Sequence, residues 1–200
     1  MTETTNFCSW LKHPLDHAYH DQEWGVPITD NHQLFALLML ECQQAGLSWS
    51  VVLQKRQALY QAFANFVPSE LAQFTNYQLD MLCQEPAIVR HKLKIYAMRH
   101  NAQMFLKIQA QGIDFAHWLW LHVDFQMQIP DPDKIQETYK QVYEPLAEKI
   151  SKQLRAWGFK YVGPTTILAY MQAIGMINPH DPSCPQYAKL VKTYGKKKLF

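Results

Sequence analysis

The run Asp30-Asn31-His32-Gln33-Leu34-Phe35-Ala36-Leu37-Leu38-Met39-Leu40-Glu41-Cys42-Gln43-Gln44-Ala45-Gly46-Leu47-Ser48-Trp49 decides the fold. Asp30 followed by Gln33 reads as a capping box. Leu34, Leu37, Leu38 and Ala45 then recur at helical spacing until Gly46 stops the turn. Ser48 follows as the cap of a second helix running through Val51, Val52 and Leu53 to Phe63. The same punctuation recurs outward from this run. Thr75 with Gln78 is another capping box, opening a helix over 77–83. A long helix spans about 89–111 and closes at Gly112. Asp114 caps 115–123, while 144–157 closes at Gly158 and 165–174 at Gly175. Four of the seven glycines thus fall where a helix needs a left-handed residue to end. No stretch alternates like a strand between hairpin turns. Residues 124–136, with Pro130 and Pro132, read as a polar loop. The expected fold is all-α, a single domain over 1–200 with two helical lobes and a flexible basic tail from about 193.

Apolar content of 48% against 18% charged residues excludes wholesale disorder. No apolar run approaches the roughly 18 residues of a membrane span. Residues 1–7 are polar and lack a signal-peptide core, so the expected location is cytoplasmic. There, four cysteines are thiols or metal ligands rather than disulfides. The net charge of +2 is too small to announce nucleic acid, but its distribution is uneven. Two stretches carry no acid: 86–113, with Arg90, Lys92, Lys94, Arg99 and Lys107, and 149–180, with Lys152, Arg155 and Lys160. They offer a stripe for phosphates, or two solvated helix faces.

Glu41 is the most informative single residue. Leu34, Leu38, Glu41 and Ala45 form one stripe of their helix, so the carboxyl points at the core or at a cleft. Burial of a bare carboxylate costs several kcal/mol, so an arginine, a backbone donor or a ligand should meet it. Trp49 lies beyond the helix break. An indole face beside a carboxylate suits a flat, electron-poor ring. Upstream lies a second aromatic cluster, Tyr19-His20-Asp21 and Glu23-Trp24-Gly25-Val26-Pro27, which reads as core or pocket.

Cys8, His20, His180 and Cys184 suggest a zinc site. Two thiols and two imidazoles make a closed tetrahedral set, typical of structural rather than catalytic zinc. It would tie the N-terminal arm to the C-terminal end, and binding free energy would add to folding. The alternative is two unrelated pairs. Cys42 and Cys83 read as core thiols.

Residues 157–166 join two helices. Gly163 permits a bend, and the next helix offers free N–H groups, with Lys160, Thr165 and Thr166 adding charge and hydroxyls. The layout suits a helix–hairpin–helix gripping a DNA backbone without reading sequence, or a plain core connection. Tyr161 stands where such a hairpin usually has its first glycine.

Together these segments resemble DNA-3-methyladenine glycosylase type I. The resemblance is carried by Cys8-Ser9-Trp10, Tyr19 to Pro27, Leu40 to Trp49, Ile88-Val89-Arg90-His91, Gly158 to Gly163, and His180 with Cys184. It implies a helix–hairpin–helix glycosylase fold and a structural zinc on Cys8, His20, His180 and Cys184. It also implies a base pocket of Glu41, Tyr19 and Trp49 with Trp10 and Trp24 nearby. The implied reaction is hydrolysis of the N-glycosidic bond of 3-methyladenine in double-stranded DNA, without lyase activity, by a monomer. The expected mechanism flips the base out, sandwiches it between Trp49 and Tyr19, and uses Glu41 to accept its hydrogen bonds. Asp181, close to the hairpin's far end, reads as a turn residue between ligands rather than a catalytic acid. At Asp16, three residues before Tyr19, the family often has an aromatic that would help close the pocket. Competing readings are a zinc-stabilised DNA-binding module without enzymatic activity, and a zinc hydrolase. Phosphate binding has no use for a buried carboxylate, which disfavours the first. Four protein ligands leave no open position for water, which disfavours the second.

Overall fold

A computed structural model describes residues 8–200, and the polar stretch 1–7 lies outside the described residues. Eleven α-helices make up the described chain: α1 Pro14–Gln22, α2 Asn31–Gln44, α3 Trp49–Ala62, α4 Pro68–Leu71, α5 Asn76–Leu82, α6 Lys92–Ala110, α7 Phe115–Leu121, α8 Ile135–Thr138, α9 Glu144–Ala156, α10 Pro164–Ala173 and α11 Pro185–Tyr194. No strand occurs among the described residues; Gln128 and Ile177 form a lone bridge. No described helix is long and apolar enough to cross a membrane.

The fold is organised around α2. It contacts α3, α6, α7 and α10, and its residues from Leu34 to Gln43 are buried except Leu37. A helix covered on almost every side sits at the centre of the core. Around it pack Phe35, Phe105 and Phe115 in mutual ring contact, with Trp120 and Tyr170 fully buried. Tyr170 donates its hydroxyl to the Leu34 carbonyl at 2.8 Å. α6 carries α4 and α5 on its outer side, and α9 pairs with α10 across the 157–163 hairpin.

The capping grammar holds in most places. Asp30 accepts from Gln33 N (2.8 Å), Asp114 from His117 N (2.8 Å), and Thr75 closes a full capping box with Gln78. Ser48 occupies the cap position of α3, but its side chain makes no capping bond. α6 begins at Lys92, three residues later than the spacing suggests, because the His91 ring accepts from Lys94 N and starts the helix there. Four helices escaped the sequence reading, among them the single-turn α4. α1 and α11 begin on prolines next to ligand-type residues, and α8 runs into a π turn over Tyr139–Tyr143 inside what read as loop and linker. At the C-terminal end, Leu199 N donates to the Phe125 carbonyl and the Phe200 ring meets Phe125 and His117.

Gly175 fixes the site's frame. At φ +75, a Cβ there would lie 2.5 Å from Pro27 N and 2.6 Å from Gly25 O. Only a residue without a side chain lets the segment after α1 run against the end of α10, where Ile28 N donates to Ile174 O. That segment carries Trp24.

Candidate functional site

Glu41 sits on the penultimate turn of α2, 3% exposed. Its Oε2 has no hydrogen-bond partner among the described residues, and no salt bridge reaches it. Neither an arginine nor a backbone donor meets it, which leaves the third expectation, a ligand. Burial pushes its carboxyl up to about 8, so the acid holds its proton near neutral pH when nothing fills the space beside it.

That space is a cleft of about 510 Å³ lined by Glu41, Trp10, Tyr19, Trp24, Trp49 and Gln44 among others. Its aromatic residues form a continuous chain. Trp24 meets Trp10 at 5.1 Å between centroids, Trp10 meets Tyr19 at 6.3 Å, and Tyr19 meets Trp49 at 5.2 Å. The indole N–H groups of Trp10 and Trp49 are buried and have no acceptor among the described residues. Two donors and one carboxyl oxygen on residues lining this cleft thus lack partners; the other unpartnered buried atoms among the described residues are Asp16 Oδ1 and the side-chain amide of Gln43, on residues that do not line it. Buried polar atoms are normally satisfied, so a cluster of exceptions marks a place shaped for a polar, flat molecule. Tyr19 and Trp49 stand 47° apart in direct contact. No gap of ring thickness separates them, so this arrangement holds no slot for the expected sandwich between these two rings.

Helix ends set this geometry. The α2 terminus is closed by Lys94, whose buried ammonium donates to the carbonyls of Gln43 (2.8 Å) and Ala45 (2.5 Å). A cation on the last carbonyls of a helix offsets its terminal dipole. It also anchors the turn at Gly46 that delivers Trp49. Lys94 was read only as a possible phosphate contact. Its role was missed because an N-terminal lysine of α6 gives no sign of which helix end it will meet.

Asp16 is fully buried as the third residue of α1. Its Oδ2 accepts from Lys12 N (3.0 Å), His13 N (3.0 Å) and the Ser50 hydroxyl (2.8 Å). Burial alone would raise its pKa, but these three donors hold the carboxyl below its ordinary range. It does not line the cleft, although Lys12, His13 and Ser50 do.

Cys8, His20, His180 and Cys184 are all buried, with ligand atoms within 4.8 Å of one another. The two pairs, distant in sequence, meet in one place that could bind a metal ion. His20 Nε2 lies 3.2 Å from Cys8 Sγ, 3.6 Å from Cys184 Sγ and 3.0 Å from His180 Nδ1. The remaining ring nitrogens are engaged outward, His20 Nδ1 with Asp21 at 2.7 Å and His180 Nε2 with the Trp24 carbonyl at 3.0 Å. Such outer partners orient imidazoles toward a shared ion. Asp181 turns its carboxylate onto Ser183, which donates both its N–H and its hydroxyl. Cys42 is fully buried and Cys83 half-buried, neither near this cluster.

The hairpin before α10 bends at Gly158 (φ +95) and Tyr161 (φ +60). Tyr161 adopts the left-handed conformation at the place where a glycine is usual. Gly163 does not make the bend; its φ of −63 and ψ of 161 suit any residue. A Cβ on it would meet only Arg155 at 3.5 Å, so nothing in the chain requires glycine there. Lys160 and Thr165 are exposed and Thr166 half-buried. No side chain caps α10, leaving its first N–H groups open. Asn101 clamps the Lys160 residue from both sides, accepting from its N–H (2.8 Å) and donating to its carbonyl (3.0 Å). The Cys42 thiol, next to Glu41, donates to the carbonyls of Lys160 (3.6 Å) and Tyr161 (3.5 Å).

The sequence pattern of the methyladenine glycosylase family matches residues 10–187. The chain is 38% identical over 181 residues to DNA-3-methyladenine glycosylase 1 of Escherichia coli (strain K12), covering 90% of this chain and 96% of that protein. It is 34% identical over 182 residues to DNA-3-methyladenine glycosylase of Haemophilus influenzae, covering 90% and 97%. Among solved structures, a 3-methyladenine DNA glycosylase I superposes with a TM-score of 0.83 at 38% identity over 90% of this chain and 98% of that one. The Staphylococcus aureus enzyme, solved for its recognition of 3-methyladenine, gives 0.83 at 37% identity over 91% and 96%.

Proposed function

The chain belongs to the methyladenine glycosylase family, and from that premise we propose that the Trp10–Tyr19–Trp49–Glu41 cleft is where it holds the excised base. It is a DNA-3-methyladenine glycosylase acting in base excision repair, hydrolysing the bond between an alkylated base and its sugar.

One observation carries the site reading: the orphaned Glu41 oxygen and the two orphaned indole N–H groups share one aromatic cleft. A purine methylated at N3 is cationic in DNA and leaves as a neutral base, so its departure needs little acid assistance. The chain's task is to extrude the nucleotide, hold the ring and stabilise charge. The ring stacks on the open face of the Tyr19–Trp49 pair, and its amino group donates to Glu41. A cation beside Glu41 favours the carboxylate, so seating the lesion drives off the proton that burial keeps on the empty site. The resulting anion then opposes the positive charge that grows on the sugar as the bond breaks, while water attacks the anomeric carbon. An unmethylated adenine is neutral and gains nothing from this exchange. We read the reaction as simple hydrolysis without a lyase step.

The Gly158–Gly163 hairpin, with Lys160, Gly163, Thr165 and Thr166, grips the backbone of double-stranded DNA. Its support is a glycine that no internal contact demands, leaving room for a phosphate to approach the N–H groups of α10. Cys8, His20, His180 and Cys184 hold a structural zinc. Zinc–ligand bonds of about 2.0–2.3 Å at tetrahedral angles give ligand separations of about 3.3–3.8 Å. Four of the six ligand separations here run from 3.0 to 3.8 Å, and all lie within 4.8 Å. Bound there, the ion supplies a closed cross-link between chain ends and no open position for water. We read the protein as a monomeric cytoplasmic enzyme.

The test is excision of 3-methyladenine from methylated double-stranded DNA. Free base should appear with the intact protein, with no borohydride-trappable enzyme–DNA adduct. Binding to that DNA without base release would leave only a DNA-binding module.

A further inference from the structure

Tyr19 lies on α1, Trp10 just before it and Trp49 at the start of α3, and one buried carboxylate oxygen of α1 binds the chain beside the two tryptophans. Asp16 stands one helical turn before Tyr19 on α1. Its Oδ2 holds Ser50, the residue after Trp49, and the N–H groups of Lys12 and His13, just beyond Trp10. We propose that Asp16, acting with Ser50, is a positioning residue that fixes how Trp10, Tyr19 and Trp49 stand to one another for the base. The proposal rests on the reading of the cleft as the base site.

Three observations give this weight. α1 packs directly on α3, and to the Tyr19–Trp49 ring contact there the Asp16–Ser50 bond at 2.8 Å adds a directional polar tie at the start of α3. At the far end the two helices meet again through Glu23 and Arg56 at 2.7 Å. That pair is exposed and contributes little, whereas a buried bond to an ionised acceptor is strong and directional. Finally, Asp16 Oδ1 is buried without a donor among the described residues. An apolar residue would fill the same place without that cost. What a carboxylate adds is orientation: three donors converging on one point fix relative rotation, which packing of a ring would not.

The test uses the full chain with Asp16→Ala, Ser50→Ala, the double variant and Asp16→Asn. Three quantities are read: the indole N–H resonances of Trp10 and Trp49, the affinity for free 3-methyladenine, and Tm. Ser50→Ala should move the Trp10 resonance and Asp16→Ala the Trp49 resonance, although neither pair is adjacent in sequence. Trp118 and Trp157, which contact each other away from the cleft, should stay in place. Affinity should fall about tenfold in each single variant and no further in the double. Asp16→Asn, which keeps an acceptor oxygen, should retain most of it. A fall in Tm with unmoved Trp10 and Trp49 resonances and unchanged affinity overturns the proposal. Should Asp16→Ala not fold, Ser50→Ala with Asp16→Asn decides alone. Failure of the unaltered protein to bind 3-methyladenine would remove the base-site reading, and with it the proposal, whatever the resonances do.

Discussion

His20 Nε2 and His180 Nδ1 face each other at 3.0 Å, while Asp21 and the Trp24 carbonyl engage the opposite nitrogen of each ring. With each outward nitrogen donating its proton, the two inward nitrogens are both acceptors. Two lone pairs at this separation, flanked by two buried thiols, suit a cation between them.

Zinc removal should therefore be felt in stability. A strong chelator should lower Tm by on the order of 10 °C or more, and Cys184→Ser should do the same. Readdition of zinc should restore the first and not the second. Unchanged melting of protein shown to be metal-free by atomic absorption would dismiss the ligand assignment.

Glu41→Gln keeps the shape of the side chain and removes its ability to become an anion. Excision from methylated DNA should drop by about 10²–10³-fold, measured as a single-turnover rate. Helical content by circular dichroism should stay the same. Near-normal rates would take Glu41 out of the mechanism.

Burial of Glu41 also leaves a mark on stability against pH. Its carboxyl rises from 4.5 to about 8 on folding. Between those values the folded chain binds more protons than the unfolded chain, so stability falls as pH rises through the window and levels off above it. Glu41→Gln should flatten this slope and melt above the unaltered protein at pH 8. Parallel stability–pH curves for the two proteins would mean that the group titrates normally.

Lys160→Ala should weaken binding to methylated and unmethylated duplexes alike. The slope of log affinity on log salt should shrink by about one. A loss confined to lesion-bearing DNA would assign Lys160 to the base pocket instead.

Tyr161→Gly relieves the left-handed conformation at φ +60 and removes a ring that packs against His91 at 6.4 Å. The first effect is worth about 1–2 kcal/mol, and the second uncovers core that the half-buried ring packs against, a loss of similar size. Chemical denaturation should therefore show a stability within about 1 kcal/mol of the unaltered protein. A loss of several kcal/mol would show that the left-handed conformation carries no strain worth relieving.

Much of this was legible in the residues. Periodicity and caps located α2, α3, α5, α6, α7, α9 and α10, because each has its own local start or stop signal. α1 was missed, although Pro14 at its first position and Asp16 in its first turn are such signals, because its nine residues carry no apolar stripe. The burial of Glu41 was readable from its stripe, but α2 proved covered on nearly every side, so the stripe was not special. What made Glu41 stand out was the lack of any partner, which depends on residues far away in sequence. The same holds for Asn101, Lys94 and Ser50. Each acts across 34 to 59 positions, and no local pattern announces such a meeting.

Cys42 bolts the 157–163 hairpin to the very helix that carries Glu41, and Asn101 bolts it to α6 alongside. The segment we read as the hold on the backbone and the helix we read as the hold on the base therefore form one rigid piece, so a change that loosens either end is transmitted to the other through a few buried bonds.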